Sequence, residues 1–224
     1  MSDDRGATVG DAGYCAPFLR ALPVTGAAVS TIGDLVSPET VCATDDVAAR
    51  LDELQFDLRE GPCWEALATR RPVLTPDLRR APGAGWPSFA HAAAGLPVAS
   101  LFAFPLAIGP LNLGVIDLYS SQPVRLRDAD TKRAAELAED AGRLLLRDLL
   151  GRLDRKPDED GDGGEFSRRR IHQATGAVIA QLGVTPEDAE LVIRAHAFAH
   201  DMTMREVAED ILGWRLDFAA EGER

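Results

Sequence analysis

A chain of 224 residues is too long for one small module and fits one large domain or two ordinary ones. An apolar fraction of 46% excludes wholesale disorder, and no stretch approaches the ~20 consecutive apolar residues that a membrane-spanning helix needs. The formal net charge of −12, from 36 acidic against 24 basic residues, repels a polyanion overall, so any nucleic-acid contact has to come from a local patch. The start, Met1-Ser-Asp-Asp-Arg5, is acidic where a signal peptide is basic. Cys15, Cys42 and Cys63 are odd in number and widely spaced, which suits buried thiols in a reducing compartment better than a disulfide framework. A soluble, cytoplasmic protein is expected.

In chain order, residues 1–16 read as a flexible tail and 17–153 as a folded domain of mixed periodicity. Ala27 to Ile32 alternates like a strand, with Val41 to Thr44 beside it. Val47, Leu51, Leu54 and Leu58 have helical spacing, and Asp45 or Asp46 stands where a cap is needed. Pro62 starts a short helix over Cys63 to Thr69, Val73-Leu74 forms a short strand, and Trp86 to Ala94 forms a helix closed by Gly95. The apolar runs Val98 to Ile108 and Leu113 to Tyr119, joined across Gly109-Pro-Leu-Asn112, make a central antiparallel hairpin, with at least Val98 to Leu106 covered on both faces. Asp128 to Leu153 is a long helix whose stripe of Ala134, Leu137, Ala138, Ala141, Leu144, Leu145 and Leu149 can pack on a sheet and continue into a partner helix. The fold class of this part is α+β.

Several blocks carry a family resemblance: Cys42-Ala-Thr-Asp45, Leu54-Gln55, Arg59-Glu-Gly-Pro-Cys-Trp-Glu-Ala66, Pro72-Val73, Asp77-Leu78, Trp86-Pro-Ser-Phe89, Phe104-Pro-Leu106 and Gly114-Val-Ile-Asp-Leu-Tyr119. They occur in order and resemble the GAF domains of actinobacterial regulators. That resemblance implies a small-molecule or redox sensor with a central antiparallel sheet, often dimeric through its terminal helices. Trp64, Trp86, Phe89, Phe104 and Tyr119 are the candidates to line its ligand pocket, and all of them serve equally well as core.

From 154 to 165 the apolar residues vanish among Gly, Pro and acids, the composition of a flexible linker. Residues 166–218 then form an all-α three-helix unit, followed by a tail over 219–224. Ser167 caps the first helix, with Phe166 and Ile171 as a hydrophobic staple, and Gly183 ends it. Thr185-Pro-Glu-Asp188 begins the second helix, and Thr203-Met-Arg-Glu206 is a capping box for the third, which stops near Gly213. Ile171, Ala174, Val178 and Leu182 share a face of the first helix; Ala189, Val192, Ile193 and Ala197 do so on the second; Val207, Ala208, Ile211 and Leu212 on the third.

Ile171-His-Gln-Ala-Thr-Gly-Ala-Val178, Val184-Thr-Pro-Glu-Asp-Ala-Glu190, Ile193-Arg-Ala195 and Arg205-Glu-Val-Ala208 resemble the ANTAR module across the whole segment. The resemblance implies a domain that binds RNA stem-loops in nascent transcripts and prevents transcription termination. The candidate RNA-binding residues are Arg168, Arg169, Arg170, His172, Gln173, Thr175, Arg194 and Arg205. The arginines concentrate positive charge at a helix N-terminus, where phosphate is already favoured, and His172 and Gln173 can bond or stack with loop bases. Thr175 and the Met202-Thr-Met204 segment stand where many members are basic, so binding by one copy is expected to be weak and a homodimer to restore it. Arg194 can equally pair with Glu190, and the matching alanines and Gly176 are expected to serve packing.

No phosphate loop, nucleophile elbow or carboxylate pair points to an enzyme. His91, His172, His196 and His200 lack a third ligand at zinc-like spacing, so no metal is expected, and no cofactor is identified. Cys63 starts a helix, where a thiol pKa can fall, yet a small core residue accounts for it. The reading is a signal-responsive antitermination regulator; the alternative is a ligand- or redox-sensing regulator whose C-terminal helices bind a protein partner or DNA.

Overall fold

The alternating run from Ala27 opens a five-stranded antiparallel sheet in the computed structural model, which describes residues 13–33, 36–80, 85–153 and 168–221. In chain order the first unit comprises α1 (Ala16–Ala21), β1 (Gly26–Gly33), β2 (Val36–Ala43), α2 (Asp46–Leu58), α3 (Pro62–Thr69), β3 (Val73–Thr75), α4 (Pro87–Ala93), β4 (Ser100–Ile108), β5 (Leu111–Ser120) and α5 (Asp128–Leu153). The spatial order is β2-β1-β5-β4-β3, every neighbouring pair antiparallel, so the expected hairpin β4–β5 lies inside the sheet and β3 lies on an edge.

Both faces of the sheet are covered. Side chains alternate along β4, so Phe102, Phe104 and Leu106 pack with α1 and α5 through Phe18, Ala134, Leu137, Ala138, Ala141 and Leu145. On the opposite face Leu101 and Tyr119 meet Leu51, Leu54, Trp86 and Phe89 of α2 and α4. Beside them, Ala103 and Val115 meet Phe56, Cys63 and Ala66 of α2 and α3. The helix caps follow the residues that predict them: the Asp45 side chain accepts the Ala48 N–H at 2.9 Å, and Pro62 and Pro87 stand at first helical positions.

Two expectations fail at the N-terminal end. Residues 13–16 are not tail: Tyr14 and Cys15 are buried, and the Tyr14 hydroxyl donates to Asp148 on α5. The two thiols expected to stay apart form a disulfide, Cys15–Cys42, with Cα atoms 6.7 Å apart, while Cys63 is buried outside it. Twenty-seven residues of separation hide this pair in the sequence, because α1 is a six-residue helix too short to show a periodic stripe. Residues 1–12 lie outside the described residues.

The second unit, Ser167–Arg224, contains α6 (Arg169–Leu182), α7 (Pro186–Ala199), α8 (Met204–Leu212) and a short α9 (Phe218–Glu221). Three caps fall where expected: Gly183 is left-handed after α6, Thr185 accepts the Asp188 N–H at 3.2 Å, and Thr203 and Glu206 form the capping box of α8, whereas the N-cap of α6 is Arg168, without a side-chain cap, in place of the expected Ser167. The core is Ile171, Ala174, Val178, Ala189, Ile193, Ala197, Met204, Val207, Ala208, Ile211 and Leu216. Val192 and Leu212 are only partly buried against it, and Leu182, expected inside, is 38% exposed. Phe218 packs on the core and its N–H reaches Gln181 Oε1 at 3.3 Å, and the fold runs past the expected end at 218 because α9 continues to Glu221. The expected linker 154–165, Ser167 and Phe166 lie outside the described residues.

Candidate functional site

The polar interior of the first unit centres on Gln55, fully buried on α2. Its Nε2 donates to Asp117 Oδ2 of β5 at 2.8 Å, its Oε1 accepts the Cys63 N–H at 2.8 Å, and its carbonyl accepts Trp64 Nε1–H at 2.6 Å. Gly61, at φ 134°, lets the amide approach, since a Cβ there would lie 2.6 Å from Gln55 Oε1. Glu60 turns the other way and accepts the Ser88 and Phe89 N–H groups at 3.1 and 3.3 Å, capping α4. The Glu60-Gly-Pro-Cys63 and Trp86-Pro-Ser-Phe89 blocks are therefore two halves of one join. Tyr119 completes a second join, its hydroxyl donating to Asp45 Oδ1 at 3.0 Å, and burial together with that carboxylate raises its pKa to about 12.

Beside this hub lie two buried carboxyls. Asp52 accepts from Ser30 at 2.5 Å and from Thr40. Asp117 Oδ1 is buried without a hydrogen-bond partner among the described residues. Burial pushes the Asp117 carboxyl well above the usual range and the charge of Asp52 adds to this, while the Gln55 donation opposes it.

The five aromatic candidates do not form one pocket. Trp86, Phe89 and Tyr119 belong to the core under α2 and α4, Trp64 is half-buried edge-on to Phe56 at 5.8 Å, and Phe104 faces α1 and α5 across the sheet. Phe104 is two residues from Phe102 on a pleated strand, so both point to that far side. A groove of about 760 Å³ lies instead along the edge strand β3, where Leu74 is 42% exposed. Trp86 lines it, with Glu65 and Asp77 opposite in charge to Arg125. Nothing in the sequence marks this groove, because it depends on β3 being an edge.

In the second unit the candidates separate by exposure. Arg169, Arg170, His172 and Gln173 are exposed on the first turns of α6, whereas Arg168 is buried. The Thr175 hydroxyl donates back to the Ile171 carbonyl at 2.8 Å. Arg194 is half-buried and bridges to Glu190, and Arg205 is half-buried on α8. Residues 169, 172, 173 and 176 share a helix face, and Gly176 is exposed there, where an added Cβ would meet nothing within 4 Å. Packing, the role expected of Gly176, is excluded by that open space, while Ala174, Ala189 and Ala208 are buried as expected. His196 stacks on His200 at 4.0 Å and meets Phe218 edge-on, and no group of three metal-ligating side chains occurs among the described residues. No helix among the described residues is long and apolar enough to cross a membrane.

A sheet with helices on both faces, laced through one glutamine, is followed by a three-helix unit, the architecture of a sensory domain joined to an effector. The GAF domain model matches residues 18–145, over half of the chain, and the chain belongs to that family. The ANTAR domain model matches residues 167–212. These are regulatory domains, and their pairing is that of a signal-sensing regulator. No curated protein matches the chain.

Among solved structures, the chain is similar to a domain of a Sinorhizobium meliloti protein described as a two-component sensor histidine kinase, at 17% identity and TM-score 0.49, covering 65% of this chain and 94% of that one. It is also similar to the GAF domain of an Acinetobacter phosphoenolpyruvate-protein phosphotransferase, at 11% identity and TM-score 0.48, covering 69% and 90%. A free methionine-R-sulfoxide reductase from Neisseria meningitidis follows at 15% and 0.45, covering 61% and 75%. At these values the family assignment rests on the sequence models.

Proposed function

We propose that this chain is a signal-responsive RNA-binding regulator that acts by transcription antitermination. The observation that carries the reading is the exposed face of α6, where Arg169, Arg170, His172 and Gln173 stand at the helix start without serving the core. Two guanidinium groups beside the positive end of a helix suit phosphate, and an imidazole and an amide beside them suit unpaired bases. The partner is a stem-loop in a nascent transcript, bound by a homodimer whose two effector units engage together.

The GAF unit supplies the signal, either a small molecule or a change of redox state. It acts through the dimer state or through masking of the effector unit. The protein works in the cytoplasm. Salt-titrated binding to a two-hairpin RNA, a scrambled RNA and duplex DNA tests the first part, with read-through of a terminator in vitro as the functional measure. Selective, salt-sensitive binding that falls in the Arg169→Ala, Arg170→Ala double variant supports it; equal affinity for all three nucleic acids overturns it. Loss of binding to every nucleic acid at low salt would favour a protein partner for the C-terminal helices.

A further inference from the structure

The turn after α8 carries a side chain for which the fold has no use. Beyond Gly213, the N–H groups of Trp214 and Arg215 return to the carbonyls of Ile211 at 3.1 Å and Asp210 at 2.8 Å. This pair of bonds closes many helices, and it places the residue after the cap in the left-handed region. Here that residue is Trp214, at φ 56°. Glycine is favoured at such a position because an L side chain is strained there. The indole is also 85% exposed, more than any other large apolar side chain described.

The turn that presents it is firmly held. Leu216 is buried in the core, and the Arg215 guanidinium folds back to Asp210, with Nε and Nη2 at 2.7 and 2.6 Å. It crosses over Gly213, where an added Cβ would lie 2.6 Å from Nη1. The strained backbone disfavours the folded unit, and a ring as wet as in the unfolded chain contributes no burial to offset it, which points to a role outside the unit.

We propose that Trp214 is a stacking platform for an unpaired RNA base, an inference that rests on the RNA-binding reading of this unit. The position fits that reading. Arg170 reaches Glu209 at 3.8 Å, and the Glu209 carbonyl accepts the Gly213 N–H at 2.9 Å, so the basic start of α6 lies within one helical turn of the Trp214 turn. Guanidinium groups there hold phosphate while the ring takes a base. Its neighbours along the chain, Gly213 and Arg215, are exposed and carry no large apolar side chain, so the indole is the one apolar group that this turn presents. Every base has a π-face, and stacking of this kind tolerates sequence.

The test uses the full chain, a pool of RNA hairpins with randomised loops, and the same stems fully paired. Trp214→Gly is expected to melt at the same temperature or higher, to bind the hairpins about 5- to 150-fold more weakly, and to bind paired RNA unchanged. Trp214→Phe is expected to recover most of the hairpin affinity. Hairpins should quench tryptophan fluorescence in the parent but not in Trp214→Phe, which retains Trp64 and Trp86.

Hairpin binding by Trp214→Gly equal to that of the parent would overturn the platform and leave the RNA reading standing. Failure of the parent to bind any hairpin at low salt would overturn both. A lower melting temperature in Trp214→Gly would show that the fold does use the ring, and loss of self-association without loss of RNA affinity would assign it to a contact between copies; either result removes the inference.

Discussion

In the GAF unit, most of the residues that mark the family are turned inward. Gln55, Gly61, Cys63, Trp64 and Asp117 meet in one network, Glu60 caps the helix that begins the Trp86-Pro-Ser-Phe89 block, and Tyr119 bonds the Asp45 cap. In the ANTAR unit the motif divides instead. Ala174 is buried, while His172, Gln173 and Gly176 face solvent beside Arg169 and Arg170. A motif of fixed residues can therefore mean a fold or a surface, and burial separates the two. The first unit turns its marks into its own interior, and the second leaves several of its marks in solvent.

The largest expected effect breaks the inward network. Gln55→Ala leaves the Cys63 N–H and Asp117 without their buried partner and opens a cavity, a loss of about 4 kcal/mol for the first unit. Thermal or denaturant unfolding followed by Trp64 and Trp86 emission should register it, with the ANTAR unit unaffected. A loss below about 1 kcal/mol would show that the hub is dispensable.

Next in size is the disulfide, which belongs to the first unit alone because all three cysteines precede residue 64. Closing a loop with a sequence separation of 27 stabilises by about 3.5 kcal/mol in the chain-entropy account. Reduction, or the Cys15→Ser, Cys42→Ser pair, should lower the melting temperature of the first unit and free Tyr14 and α1 to exchange their amides. Unchanged melting under reductant would remove any redox role for this pair.

Asp117 sharpens the comparison through pH. Its carboxyl titrates above the usual range in the folded state, so the stabilising protonated form is complete below the unfolded pKa near 3.8 and is lost as pH rises through the raised value. Asp117→Asn keeps an acceptor for Gln55 and cannot ionise. Its melting temperature should exceed that of the parent by a margin that grows from mildly acidic to alkaline pH. A margin independent of pH would show that Asp117 does not take up charge in that range.

What the sequence reveals follows the range of the interaction responsible. Local chemistry is legible: Asp45, Thr185 and Thr203 cap where they stand, the long helix keeps its bounds at Asp128 and Leu153, and the hairpin β4–β5 follows from two apolar runs and a short turn. Phe104 is misplaced because knowing that a strand is covered on both sides does not say which residue faces which layer. The Cys15–Cys42 bond and the β3 groove depend on where distant segments come to rest. Trp214 escapes notice for another reason, since its mark is a backbone angle that no composition or spacing encodes.

The smallest expected effect tests the outward half of the comparison most directly. Gly176 lies in the interior of α6, where glycine is less favourable than alanine by roughly 0.5–1 kcal/mol, and the space around it would admit a methyl group without contact. Gly176→Ala should therefore raise the melting temperature of the ANTAR unit by a few degrees. If the face shared with Arg169, His172 and Gln173 lies against an RNA backbone, that same methyl holds the phosphates off and affinity falls while stability rises. Stability and binding moving in opposite directions at one exposed position is what a displayed residue does. A gain in stability with unchanged RNA affinity would show that the bare helix surface at 176 serves no close approach.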